Sequence, residues 1–257
     1  MWPFPSKYNL QQSGIFNGWT DRHSHILPGV DDGIQSVKES LAILSMYEQM
    51  GVKKVWLTPH IMEDCPNTPE KLKTRFEELK TAYHGNIELA LSAENMMDGL
   101  FIKRLEQGIL MPYGDNKNEL LIETSYVQPP MGMEGILRDM QKAGLTPVLA
   151  HPERYLYMDA EKYESIKEMG VKFQLNITSL IGVYGKQVKE RAEYLLNEGY
   201  YNYSGSDSHS FHATQRAFEH KNLKKHIVNA LHTKLNENSL FSRIRFFWCK
   251  WNSRNSA

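Results

Sequence analysis

LTPVLAHP, residues 145–152, is a short apolar run that stops on a histidine. A continuous run of this kind, without alternation, suits a strand buried on both faces, as in a parallel sheet covered by helices. The histidine would then stand at the carboxyl edge of that sheet. Working outward, the pattern recurs. VKKVWLTP (52–59) leads into His60, NIELALSAE (86–94) ends in Glu94, NELLIETS (118–125) carries Glu123, and YYNYSGSD (200–207) ends in Asp207 with His209 beyond it. Nearer the amino terminus, DRHSH (21–25) carries His23 and His25. With VKFQLNI (171–177) these make seven strand-like segments separated by helical stretches, the alternation of βαβ units. In a parallel barrel the carboxyl ends of all strands converge on one face, so residues far apart in sequence can meet at one site. The expectation is an α/β fold, a seven-unit (β/α) barrel, whose open face carries a metal-dependent active centre.

Length and composition narrow the function. A barrel of about 250 residues is one domain, so a single domain is expected over 1–257, with its core at about 15–235. Thirty basic and 30 acidic residues cancel, which removes any global pull toward nucleic acid or an anionic membrane. The amino-terminal segment has no apolar signal core, and no run approaches the roughly 20 apolar residues of a membrane span. A cytoplasmic enzyme is expected. Two cysteines, Cys65 and Cys249, provide neither a disulfide framework nor a thiolate zinc site. Within the tail 236–257, the stretch 241–255 lacks acidic residues and interleaves Arg243, Arg245, Lys250 and Arg254 with Phe and Trp. It reads as an extension covering the barrel or, alternatively, as a peripheral membrane contact. Trp2 and Phe4 admit the same two readings.

Local signals place the helices. Thr68 and Pro69 suit an N-cap and first helical position, after which Leu72, Phe76, Leu79 and Tyr83 share one face. Gly51, Gly144, Gly170 and Gly199 each follow a helical run, where a left-handed residue turns the chain into the next strand.

In Asp21-Arg22-His23-Ser24-His25, the two histidines fall on the same side of an extended segment and can reach one ion. The following Leu27-Pro28-Gly29-Val30-Asp31-Asp32-Gly33 adds paired carboxylates in a tight turn, suited to a further cation or, for one of them, to an N-cap. Taken together, DRHSHILPGVDDG, TPH (58–60), SAEN (92–95), LLIETS (120–125), AHPERY (150–155) and GSDSH (205–209) resemble, in this order, the PHP (polymerase and histidinol phosphatase) superfamily. Within it they are most similar to the bacterial tyrosine-protein phosphatases of capsular and exopolysaccharide synthesis. The resemblance spans about residues 15–220. It implies a distorted (β/α)7 TIM-like barrel (PHP fold), three divalent ions, usually manganese, and phosphotyrosine on a capsule-regulating tyrosine kinase as substrate.

Carried over by residue, the resemblance implies that His23, His25, Glu94 and Asp207 hold one ion. Glu94, Glu123 and His151 hold a second, with Glu94 bridging, and Asp32, His60 and His209 hold the third. Asp31 and Asp21 support them or shape turns. Imidazoles and carboxylates without thiolate suit manganese, iron, zinc, cobalt or magnesium better than a copper–thiolate site. Arg154, in the HPER motif, is implied to grip phosphate through its planar fork, a role separable from metal binding; the bland reading is a surface ion pair with Glu153. The family's second arginine has its nearest counterpart in Arg216, and His212 is a competing candidate there.

The chemistry then expected is attack on phosphorus by a hydroxide shared between two cations, with Arg154 offsetting charge on the equatorial oxygens. His60, His209 or a water would supply the proton to the leaving tyrosine. Cysteine-dependent phosphatases need C-x5-R, and counting on from Cys65 and Cys249 gives Lys71 and Asn255, so that chemistry is excluded. The rival enzyme is a PHP-type phosphomonoesterase for a small molecule such as histidinol phosphate. An amidohydrolase is disfavoured by the DDG turn, the paired glutamates and the terminal D-x-H, and a non-catalytic kinase-binding protein by the complete ligand set.

Overall fold

The computed structural model describes residues 7–235. The tail at 236–257, with Cys249, and the amino-terminal Trp2 and Phe4 lie outside the described residues. Within them, short strands alternate with helices: β1 (Thr20–Asp21), α1 (Val37–Met50), β2 (Lys54–Leu57), β3 (His60–Ile61), α2 (Pro69–Ala82), β4 (Glu88–Leu91), β5 (Glu94–Met96), α3 (Gly99–Gln107), β6 (Glu119–Glu123), α4 (Met133–Lys142), β7 (Thr146–Ala150), α5 (Ala160–Glu168), β8 (Lys172–Asn176), α6 (Lys186–Glu198), β9 (Tyr203–Gly205), α7 (Phe211–Glu219) and α8 (Lys225–Lys234). Every strand ladder is parallel.

The strands form two sheets, ordered β1-β2-β4 and β3-β5-β6-β7-β8-β9. Two of the seven expected strands are therefore broken. The first is interrupted at Thr58 and Pro59, between β2 and β3, and the second at Ser92 and Ala93, between β4 and β5. Pro59 has no N–H for the ladder, and the Glu94 amide spans the break by donating to the carbonyls of Thr58 and Pro59 at 3.2 and 3.1 Å. The sheets curl until β9 reaches β1. There the Asp207 amide donates to the His23 carbonyl at 2.8 Å, and the His25 amide to the Ser208 carbonyl at 3.1 Å.

Period-two alternation sorts the side chains of β6 to β8. Leu120, Ile122, Leu149, Phe173 and Leu175 join the main core against the helices. Leu121, Val148 and Ala150 form a separate small cluster with Tyr113 on the other side of the sheet. Glu123 shares the register of Leu121, so the same alternation that buries the inner cluster carries the carboxylate into the curl. Fully burying a side chain of the size of Phe173 contributes about 1.5–3 kcal/mol, which makes a register slip expensive.

Helix ends follow local chemistry. Thr68 caps α2 by accepting from the Lys71 amide, Pro69 opens it, and Leu72, Phe76 and Leu79 are buried. Ser36, not Asp31 or Asp32, caps α1 by accepting from the Glu39 amide. The N-cap reading of the paired aspartates is thus corrected: Asp31 instead turns its carboxylate onto the Gly33 amide at 3.0 Å. No helix among the described residues is long and apolar enough to cross a membrane.

Gly205 is required by close approach. A Cβ there would lie 2.5 Å from His23 Cβ and 2.8 Å from its backbone nitrogen. Gly205→Ala is expected to push β9 from β1 and to destabilise the protein by about 1–3 kcal/mol, the usual cost of overpacking. An unchanged urea midpoint would show that the closure tolerates more slack than this contact implies.

Candidate metal centre

The breaks and the carboxyl ends of the strands bring the histidines and carboxylates together. His23 and His25 follow β1, His60 opens β3, Glu94 opens β5, Glu123 closes β6 and His151 follows β7, while Asp207 and His209 follow β9. Asp32 enters from the turn before α1. Two of these residues are held in the left-handed region, His151 at φ +32° and Asp207 at φ +52°. Such backbone costs about 1–3 kcal/mol per residue and persists where the surroundings impose it, commonly at functional sites.

The distances are those of groups turned toward a common centre. His23 Nε2 and His25 Nε2 lie 3.1 Å apart, and Glu94 Oε2 is 3.1 and 3.2 Å from them. Asp207 Oδ1 is 3.5 and 3.4 Å from the same two nitrogens. His151 Nε2 sits 3.0 Å from Glu94 Oε1 and 4.0 Å from Glu123 Oε2. His60 presents Nδ1 to Glu123 at 3.1 Å and to Glu94 at 3.2 Å, and Nε2 to Asp32 at 3.5 Å. His209 Nε2 lies 3.5 Å from the same Asp32 oxygen.

Outer contacts orient these rings. His23 Nδ1 is 2.8 Å from Gln174 Oε1, and His25 Nδ1 is 2.8 Å from Asp31 Oδ2. An acceptor at Nδ1 keeps the proton there and leaves Nε2 as a lone-pair donor. The two facing Nε2 atoms then need an electrophile between them. His60 Nδ1, Glu94 Oε2 and Glu123 Oε1 are likewise buried without a hydrogen bond, although each faces a group within ion-pair distance. Leaving such atoms unsatisfied costs about 1–3 kcal/mol apiece; divalent cations satisfy them, so the donor set fits such ions.

Four groupings can each hold a cation: His23, His25 and Asp207; His23, Glu94 and His151; His60, Glu94 and Glu123; and His25, Asp32, His60 and His209. All nine expected ligands come together, in groups that overlap one another. His60 is shared between the third group and the Glu94–Glu123 pair, because its two ring nitrogens face opposite neighbours.

Charge is strongly coupled here. Burial alone would lower the His23 pKa, yet the Glu94 and Asp207 carboxylates outweigh it and raise it to about 9. Glu94 and Asp207, although burial opposes their ionisation, are held well below the usual carboxylate range by the surrounding imidazoles. Asp21, buried beneath His23, is raised to about 6 by desolvation, against hydrogen bonds from Ser206.

Arg154 enters the same cleft, of about 430 Å3. Its Nη1 donates to Asp207 Oδ2 at 2.9 Å, and the guanidinium lies 4.4 and 4.3 Å from the ring centres of Tyr126 and Tyr184. It is not paired with Glu153, which is buried and accepts from the Asn176 amide, Ser179 and Tyr201. Nor is Arg154 independent of the ligands: it shares Asp207 with the histidines. Arg216 and His212 are exposed on α7, and Arg216 lines an adjoining cleft rather than the central one.

A family model described as "Capsular polysaccharide synthesis, CpsB/CapC" matches residues 19–242. The chain belongs to the CpsB/CapC family. The PHP-type resemblance carried by the six motifs is thereby borne out. Among relatives of this CpsB/CapC chain, the tyrosine-protein phosphatase CpsB of Streptococcus agalactiae is 30% identical over 210 residues, covering 74% of this chain and 82% of the relative. The tyrosine-protein phosphatase YwqE of Bacillus subtilis is 27% identical over 230 residues, covering 85% and 89%. A solved structure from work on YwqE of Bacillus subtilis and CpsB of Streptococcus pneumoniae, "unique metal-dependent tyrosine phosphatases", shares the fold. Its TM-score is 0.72 at 23% identity, over 86% of this chain and 89% of that one.

Reading the sequence missed four residues of this CpsB/CapC site. Asn176 donates to Asp207 Oδ2 at 2.7 Å, and Gln174 anchors His23. Both were accessible to the logic used for the other strands, since they are polar residues in or at the end of an apolar run. Tyr126 and Tyr184 lie in loops and carry no such signal.

Proposed function

We propose that this chain is a metal-dependent protein-tyrosine phosphatase, acting in the cytoplasm on a phosphotyrosine-bearing kinase of capsular or exopolysaccharide synthesis. We read the curled sheets as a distorted (β/α)7 barrel forming one domain, and the nine ligands as holding three ions, with manganese the favoured metal. The observation that carries this reading is the set of buried, unpartnered lone pairs on His60, Glu94 and Glu123, facing one another beside Arg154.

Bound there, divalent cations supply a water activated at neutral pH and positive charge against the phosphoryl oxygens. The chain's own residues do the rest. Arg154, held between two tyrosine rings and anchored to Asp207 by one amino group, turns its remaining N–H groups to the phosphate. Its burial lowers the guanidinium pKa, but Asp207 and the tyrosines raise it further, so it stays charged. The leaving phenolate has an intrinsic pKa of about 10 and needs little acid help. The proton for the tyrosine oxygen would come from His60, His209 or a water in the cleft; of the two histidines His209 is the more exposed, its side chain at 33% against 13% for His60.

The test is turnover of a phosphotyrosine peptide. EDTA is expected to abolish it and manganese to restore it, whereas iodoacetamide leaves it within about twofold. Cys65 is half-buried, and burial pushes its thiol above the ordinary range, the opposite of an activated nucleophile. Loss of activity on alkylating Cys65 with metals retained would overturn the mechanism.

A further inference from the structure

The central cleft is not closed at its sides. Toward α6 it shares Tyr126, Arg154 and Tyr184 with a second cleft of about 340 Å3 that continues past Leu156 to Lys186 and Val188. Toward α7 it shares Val183, Ala213 and Ala217 with a third, of about 380 Å3, that continues to Arg216 and His220. Because each arm has walls in common with the centre, the three form one trough with the metal ligands in the middle.

Its surface is unusual for this chain. Of the eight large hydrophobic side chains exposed among the described residues, Tyr126, Leu156 and Val183 line it, on the loops that follow β6, β7 and β8. Exposed apolar groups concentrated around one site mark a binding surface more often than scattered ones do. A small phosphomonoester would fill the centre and leave both arms open. An extended polypeptide, advancing about 3.3 Å per residue, would occupy all three.

We infer that the trough docks an extended phosphotyrosine peptide, and that Arg216, at the end of the α7 arm, selects an acidic residue flanking the phosphotyrosine. This rests on the phosphatase reading above. Continuity with the central cleft supplies the geometry, and charge supplies the choice of partner. Arg216 is exposed, and no carboxylate among the described residues forms an ion pair with it, whereas Lys186 at the opposite end already pairs with Glu190 at 3.7 Å. The apolar walls between Arg216 and the centre, Val183, Ala213 and Ala217, give the intervening residue of the peptide a dry surface. Arg216 is therefore a specificity residue acting on the substrate's flank, at a place distinct from the phosphate grip of Arg154.

The experiment uses the full chain loaded with manganese at low ionic strength, where exposed charges are least screened. Two pairs of phosphotyrosine peptides carry either glutamate or lysine, one pair with the substitution before the phosphotyrosine and the other after it. The readout is the ratio of kcat/KM for the acidic over the basic peptide. An exposed ion pair is worth up to about 1 kcal/mol, so wild type is expected to favour the acidic peptide by roughly threefold or more on one side. Arg216→Glu should invert that preference, moving the ratio about tenfold. Arg216→Gln should bring it near unity, which guards against a folding artefact of charge reversal. The same ratio in wild type and both variants overturns the inference while leaving the phosphatase reading intact. Hydrolysis of p-nitrophenyl phosphate with none of the four peptides turned over would instead overturn the protein-substrate reading, and the docking with it.

Discussion

Glu94→Gln is expected to reduce kcat by roughly 10³ or more and to lower metal content measured by elemental analysis after gel filtration. The scale follows from what one carboxylate does here. Removing a single preorganised charge partner costs about 10²–10³, and disturbing a group that merely orients a ligand costs about 10–100-fold in metal affinity. Glu94 exceeds both cases, since it faces His23, His25, His60 and His151 within 3.2 Å. It therefore stands in two of the groups that could hold a cation. Glutamine keeps the shape but loses the charge and one acceptor, so the test separates electrostatics from packing. A variant with full metal content and a kcat within threefold of wild type would remove Glu94 from the centre.

Arg154→Ala is expected to lower kcat/KM on a phosphotyrosine peptide by about 10²–10³. Lysine should recover only part, because a point ammonium can neither fork onto two oxygens nor fill the flat space between Tyr126 and Tyr184. The hydrogen bond to Asp207 adds a second signature. Asp207 Oδ2 is tethered by Arg154 and Asn176, while Oδ1 faces the imidazoles. Loss of the arginine should thus weaken metal binding as well, by a factor up to about 10–100. Assays at saturating manganese isolate the phosphate contribution, and titration of the metal reports the tether. Unchanged kinetics at saturating metal would leave Arg154 with only the tethering role.

Much of this centre was legible because a polar residue at the end of an apolar run has few structural excuses. His60, Glu94, Glu123, His151 and Asp207 each interrupt such a run, and period two then brings His23 and His25 to one side. The sharing of His60 was not legible. It depends on which neighbour each ring nitrogen meets, and that is set by the break at Thr58 and Pro59, which shifts β3 out of the β2 sheet. Arg154 was readable as a cleft residue but not as a partner of Asp207, 53 positions away. Arg216 was placed by its distance along the chain from Asp207, whereas the turn into α7 decides which cleft it lines. The alternation of parallel strands with helices came through, yet two of the expected segments lead into pairs of shorter strands, because ladder continuity depends on single amides that no hydrophobic pattern records.

The seam between β1 and β9 bears on how the protein is made. Trp19 reaches Ser204 across 185 positions, and Ser206 reaches Asp21 across the same separation. Contacts so distant in sequence form late, after most of the entropy of loop closure has been spent. During synthesis His23 and His25 leave the ribosome long before Asp207 and His209, so an early cation meets an incomplete set of ligands. Until the last strand arrives, β1 and β8 present open edges to any neighbouring chain. A stalled or truncated nascent chain is thus expected to be a sticky, weakly chelating species until the final parallel seam joins the end of β9 to that of β1.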